Sequence, residues 1–132
     1  MAWGGTSSWQ IYEDHFIWTT TGFDADTEET DYQDLLAFVP FLPTTYTISC
    51  YRTAGATAAV SVALKATDNT EQGSVDLITI TGSEGFTNAG STKADYTAAA
   101  GKISETACSK IKIYVTTVGA GNTLTVTLTG RR

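Results

Sequence analysis

The sequence predicts an all-β fold, an antiparallel β-sandwich or jelly roll of about seven or eight strands, on three observations. Threonine makes up roughly a fifth of the 132 residues, and a β-branched side chain, stiff at its first torsion, suits a half-buried pleated surface. Apolar and polar residues alternate with period two over several segments, as they do in strands with one buried face. No stretch carries helical spacing, and turn signals recur between the alternating runs. A closed barrel shares this alternation. With 42% apolar and 17% charged residues, the chain can bury one core, and its length matches a single domain.

The elements follow in order. Residues 1–13 read as an extended N-terminal aromatic arm, ahead of a single domain over residues 14–132. Trp3, Trp9 and Trp18 lie in this opening stretch with Tyr12 and Phe16, and Gly4, Gly5, Ser7 and Ser8 give it a flexible lead. A first strand over residues 14–19 places Phe16 and Trp18 on one face, as core residues. Residues 22–34 are dense in acids without apolar periodicity, which predicts a loop or mobile flap. Residues 35–42 are apolar but closed by Pro40 and Pro43, which predicts a short or edge strand. Tyr46, Ile48 and Cys50 alternate with Thr45, Thr47 and Ser49, and Val60, Val62 and Leu64 alternate with Ser61, Ala63 and Lys65. These two strands read as a hairpin.

Residues 75–81 are strongly β-forming, but Leu77, Ile78 and Ile80 leave the inward face undecided, as in a strand covered on both sides. Residues 83–101, with isolated aromatics at Phe86 and Tyr96, are the least defined. Ile111, Ile113 and Val115 then alternate with Lys110, Lys112 and Tyr114. A turn at 119–122 leads to Leu124, Val126 and Leu128 alternating with threonines, which reads as a closing hairpin. Lys110 and Lys112 fall on the face opposite its apolar one, toward solvent or a neighbouring subunit.

Charge is segregated along the chain. The first 51 residues hold Glu13, Asp14, Asp24, Asp26, Glu28, Glu29, Asp31 and Asp34 with no Lys or Arg, and all eight basic residues lie downstream, ending in Arg131 and Arg132. Opposite fields of this kind suit packing of identical subunits, or an acidic patch meeting a basic partner; a solvated acidic loop is the plainer alternative. A phosphate-binding basic stripe is missing, so nucleic acid is not expected as a partner. No basic start followed by an apolar stretch is found, so neither a signal peptide nor a spanning helix, and no membrane partner, is expected. Cys50 and Cys108 are too few for an oxidised scaffold and read as buried thiols.

Catalytic chemistry finds little to work with. The single histidine, His15, lies beside Asp14, but neighbours on a strand point to opposite faces, so an interface or structural role is expected for it. No nucleophile elbow, Walker loop or zinc motif occurs. No cofactor and no catalysis are expected. Asp24, Asp26 and Glu28 are weak candidates for calcium, because the order of an EF-hand loop would need glycine where Glu29 stands and glutamate where Leu35 stands. No spacing selects a glycosidase carboxylate pair.

Binding is the remaining class. Trp3, Trp9 and Tyr12 are candidate anchors in a partner's pockets, joined by Lys110, Lys112, Arg131 and Arg132 as partner-binding residues. The aromatics could equally form a sugar-stacking platform like that of carbohydrate-binding β-sandwiches, which the chain resembles in size and strand count. The Thr/Ala/Gly-rich strands, the aromatic start and the ending Lys110-Ile-Lys-Ile-Tyr-Val-Thr-Thr with Leu124-Thr-Val-Thr-Leu-Thr-Gly-Arg-Arg132 resemble the small accessory virion proteins of tailed bacteriophages. That resemblance implies a protein made in the host cytoplasm without a signal peptide and carried in the virion. It implies a decoration or cement protein that binds the major capsid protein or another virion protein as a homo-oligomer. A tail, fibre or baseplate component and a carbohydrate-binding module are the alternatives.

Overall fold

The alternating segments become strands largely where the sequence places them, but the connections between them differ. The computed structural model describes residues 3–41, 43, 45–52, 60–67, 71, 74–82, 96–97, 109–118 and 123–132. In chain order its elements are β1 (Thr6–Ile11), β2 (His15–Phe23), β3 (Glu28–Glu29), β4 (Gln33–Asp34), α1 (Leu35–Phe38), β5 (Thr45–Arg52), β6 (Val60–Thr67), β7 (Val75–Gly82), β8 (Tyr96–Thr97), β9 (Lys110–Thr117) and β10 (Leu124–Arg131). One sheet runs β1-β2-β10-β5-β8; the other runs β3-β9-β6-β7, with β4 also on β9. Every pairing is antiparallel. The molecule is an antiparallel β-sandwich of jelly-roll type. Among the described residues seven strands span six residues or more, and β3, β4 and β8 span two each.

Five of the long strands turn one face to a shared core. From the first sheet come Phe16 and Trp18 on β2, Tyr46, Ile48 and Cys50 on β5, and Val126 and Leu128 on β10. From the second come Val60, Val62 and Leu64 on β6, with Ile111, Ile113 and Val115 on β9; all of these are buried. Burying a large aliphatic or aromatic side chain contributes roughly 1.5–3 kcal/mol. Thr20, also buried, donates its hydroxyl to the Val126 carbonyl at 3.0 Å, so its polar atom does not oppose folding.

Neither expected hairpin forms. β5 and β6 lie in different sheets, and so do β9 and β10. Alternation shows that one face of a strand is buried, and that is equally true of two strands facing each other across a core. The inward face of β7 is decided by a bulge. Leu64 pairs with Ile78 and Lys65 with Asp76, which leaves Leu77 over. Two consecutive residues, Leu77 and Ile78, are therefore both buried.

Three further expectations change. The arm is a strand: residues 6–11 pair with residues 16–21 in unbroken register, so β1 extends the first sheet. The first strand of the expected domain becomes the second, β2, and it runs on to Phe23. Residues 35–42 begin with one helical turn. Asp34 Oδ1 accepts from the Leu36 amide at 3.1 Å as N-cap, and the Val39 amide donates to the Leu35 carbonyl at 2.8 Å. A single turn is too short to show a 3.6-residue period.

Residues 22–34 are hydrogen-bonded to β9 through β3 and β4. Of residues 83–101, only Tyr96–Thr97 is described, as β8 on β5; Phe86 and Cys108 lie outside the described residues. Among the described residues no helix is long and apolar enough to cross a membrane.

Candidate functional site

The site is built on the acidic segment, because that segment is strapped to the sheet by its own polar side chains. Thr27 takes a positive φ of 58°, a rare conformation for a β-branched residue. Glu28, next to it, is turned inward and is 4% exposed. Its carboxylate accepts from the Asp24 and Ala25 amides, both at 2.8 Å. Asp26 Oδ1 accepts from the Val118 amide at 3.0 Å. Thr30 closes the strap: its amide donates to the Ile113 carbonyl at 3.0 Å, and its hydroxyl oxygen accepts from the Ile113 amide at 3.1 Å. Side-chain oxygens here stand in for strand carbonyls, which is why no apolar periodicity marks the segment.

The same contacts engage two of the three weak calcium candidates. Glu28 and Asp26 are spent on separate backbone amides, and among the described residues no three carboxylate, His or Cys side chains are grouped to hold a metal.

Two adjacent depressions flank the strap and share Glu29, Thr30 and Asp31. The outer one, about 450 Å³, is completed by Tyr32, Glu71 and Lys112. The inner one, about 310 Å³, is completed by Trp3, Gly5, Ser7, Trp18 and Gln33. The inner depression lies where the β1 edge of one sheet faces the β3–β4 edge of the other. Trp3 joins the two edges. Its amide donates to the Glu29 carbonyl at 3.2 Å and its Nε1 to the Thr21 carbonyl at 3.0 Å. Gly5 sits inside this junction, where a Cβ would run into the Thr21 carbonyl and the Trp3 ring.

The candidate anchors are accordingly not free. Trp3 stacks on Phe23 with ring centroids 5.0 Å apart, and Trp9 stacks on Trp18 at 4.8 Å; both are half-buried against the core. An amphipathic ring at a sheet edge buries its apolar body more readily against its own core than in a distant partner. Tyr12 is different. It is 48% exposed at the β1–β2 turn and stacks on His15 at 4.5 Å. His15 Nδ1 lies 2.7 Å from Asp14 Oδ1, contrary to the expectation that the two point apart, because Asp14 belongs to the turn and the strand begins at His15. The His15 hydrogen bond holds the Asp14 carboxyl below its ordinary value.

The basic candidates are satisfied within the chain. Lys110 pairs with Glu71 at 3.0 Å and Lys112 with Glu29 at 3.1 Å, with the Lys112 ammonium also 4.5 Å from the centre of the Tyr32 ring. Arg131 donates to Thr47 Oγ1 at 3.1 Å, and the Arg132 guanidinium lies over the Phe41 ring. Lys112, from the basic part of the chain, thus meets Glu29, from the acidic part. The structure brings Trp3 and Lys112 to the strap, sets Lys110 opposite Asp34 at its end, and leaves Trp9, Tyr12, Arg131 and Arg132 elsewhere.

Trp18, expected as a core residue, lines the inner depression while fully buried, and Asp31, Tyr32, Gln33 and Glu71 line the depressions without having been singled out from the sequence as site residues. The one signal available was Tyr32 with Gln33 at the end of an acidic run, an aromatic ring and an amide beside carboxylates.

No family model and no curated protein matches the chain. Among solved structures, it is similar to a family 4 carbohydrate-binding module, with a TM-score of 0.49 and 13% identity over 98% of this chain and 79% of that one. It is also similar to a mutant family 29 carbohydrate-binding module, with a TM-score of 0.43 and 12% identity over 97% of this chain and 75% of that one. A Clostridium thermocellum endo-1,4-β-D-xylanase fragment, a family 22 carbohydrate-binding module joined to a catalytic module, gives a TM-score of 0.42 and 14% identity over 96% of this chain and 25% of that one. These are likenesses of backbone path alone.

Proposed function

We propose that the chain is a non-catalytic, glycan-binding β-sandwich whose ligand lies along the strap at residues 29–33. One observation carries this reading. The paired depressions combine aromatic side chains, Trp3, Trp18 and Tyr32, with carboxylate, amide and hydroxyl groups from Glu29, Asp31, Gln33, Thr30 and Ser7. A sugar ring offers apolar C–H faces and a girdle of hydroxyls that both donate and accept, and this lining matches both aspects. Phosphate-rich ligands would meet Glu29, Asp31 and Glu71. The test is calorimetric titration of the chain with soluble β-glucan, xylan and mannan. Saturable binding weakened by Tyr32→Ala supports the reading; heats no larger than dilution for all three oppose it.

A second reading, attachment to another protein, is favoured by the β1 edge. β1 carries no charge, proline or bulge, and Ile11 and Tyr12 at its end are exposed. Natural edge strands normally carry such guards against pairing. In this reading the chain is a self-associating capsid decoration or cement protein, or a tail component, whose partner is a virion protein. Light scattering of wild type beside a Ser8→Lys/Gln10→Lys double variant tests it: a wild-type oligomer that the added charges dissolve supports it, and a wild-type monomer opposes self-association.

A further inference from the structure

Two residues that line the inner depression carry a side-chain polar group with no partner among the described residues, one buried and one exposed. Trp18 is fully buried, and its indole Nε1 has no hydrogen-bond partner among the described residues. The contrast with Trp3, whose Nε1 donates to Thr21, is direct. Among the described residues the exposed Asp31 carboxylate takes no hydrogen bond or ion pair; the Thr30 hydroxyl and the Gln33 amide donate instead to its backbone carbonyl, each at 3.1 Å. Trp18 and Asp31 line the same depression. A buried donor left unmade costs about 1–3 kcal/mol, and a ligand or a water can supply the missing partner.

We propose that Trp18 and Asp31 are a donor–acceptor pair that reads the hydroxyls of an uncharged sugar. Trp18 Nε1–H donates to one hydroxyl oxygen, and the Asp31 carboxylate accepts a hydrogen bond from a hydroxyl. This inference rests on the glycan reading and names the ligand class within it. A hydroxyl is the group that serves both needs, since it carries a donor and acceptor lone pairs together. An acidic sugar would set its carboxylate against Glu29 and Asp31, which both face the depression, and like charges in a partly desolvated cleft repel. Because Trp18 Nε1 is shielded from solvent, a ligand oxygen reaches it only as neighbouring lining residues give way. Trp3 and Gly5, which share that lining, precede β1, and Trp3 is held there by two hydrogen bonds.

The test uses the full chain, labelled with 15N at its three indoles, with signals assigned through Trp3→Phe and Trp9→Phe so that Trp18 itself is untouched. The probes are cello-, xylo-, manno- and chitohexaose, with oligogalacturonate as the acidic counterpart. At least one neutral hexaose is expected to shift the Trp18 indole signal and slow its exchange with solvent. Asp31→Ala is expected to weaken that hexaose about tenfold or more without lowering the melting temperature, because Asp31 is exposed. A neutral hexaose that binds saturably while the Trp18 indole and the Asp31→Ala affinity stay unchanged overturns the pair and leaves the glycan reading standing. Tighter binding of oligogalacturonate than of every neutral probe overturns the ligand class. No saturable binding by any probe overturns the inference and the glycan reading together.

Discussion

Gly130 on β10 has no side chain because Phe16 already fills the space. It pairs with Phe16 on one side and Tyr46 on the other, and a Cβ there would strike the Phe16 ring and approach Pro43. Gly130→Ala is expected to lower unfolding free energy by about 1–3 kcal/mol, the usual penalty for overpacking, as read from a denaturant midpoint at unchanged slope. The Asp14–His15 pair gives a residue-scale expectation in pH. The folded-state carboxyl is held below its ordinary value, chiefly by the His15 hydrogen bond, so between the folded and unfolded values the unfolded chain binds more protons. The pair's contribution is full above the unfolded carboxyl range and is lost as pH falls through the lowered folded value. In His15→Ala the Asp14 carboxyl is expected to titrate in its ordinary range, as followed by side-chain carboxyl 13C shifts. An unchanged titration would assign the lowering to another neighbour.

At the scale of elements, five of the long strands were legible because each buries one face and so repeats with period two. Phe16 and Trp18, Tyr46 to Cys50, Val60 to Leu64, Ile111 to Val115 and Leu124 to Leu128 all point inward as their alternation requires. What escaped were elements held by polar atoms. β3 and β4 depend on Glu28, Asp26 and Thr30 bonding to backbone, and α1 depends on the Asp34 cap; such bonds leave no apolar signature. β1 escaped for a related reason. Only Trp9 in it is even half-buried, and an edge strand exposed on most positions has the composition of an arm. The strap can be loosened without touching the core. Thr30→Val keeps the shape but removes the acceptor of the Ile113 amide, leaving a buried donor unpaired at about 1–3 kcal/mol. Hydrogen exchange at Ile113 is expected to accelerate, and glycan affinity to fall, because Glu29 and Asp31 flank the lost bond. Unchanged exchange would show that water replaces the hydroxyl.

Over the whole molecule, the sheet pairing was the illegible part. Consecutive strands β5–β6 and β9–β10 cross between sheets, and local alternation is blind to which sheet a strand joins. A further crossing produces the site. β2 lies beside the β1 edge of one sheet, and the chain leaving it crosses to lay β3 and β4 against β9 at the edge of the other, so that the opening between the two edges becomes the cleft of Trp3, Trp18 and Asp31. The candidate site was therefore only partly readable. Trp3, Trp18 and Lys112 were recognisable by residue type, whereas Asp31, Gln33 and Glu71 acquire their role from a pairing that no local pattern encodes.

The central claim is that a glycan occupies this cleft. Amide and indole chemical-shift mapping of the 15N-labelled chain during titration with the four neutral hexaoses tests it most directly. Saturable shifts are expected at the lining of the two depressions, Trp3, Gly5, Ser7, Trp18, residues 29–33, Glu71 and Lys112, with the Tyr12–His15 turn unmoved. Saturable shifts centred on the Tyr12–His15 turn, or no shift with any hexaose, would contradict it.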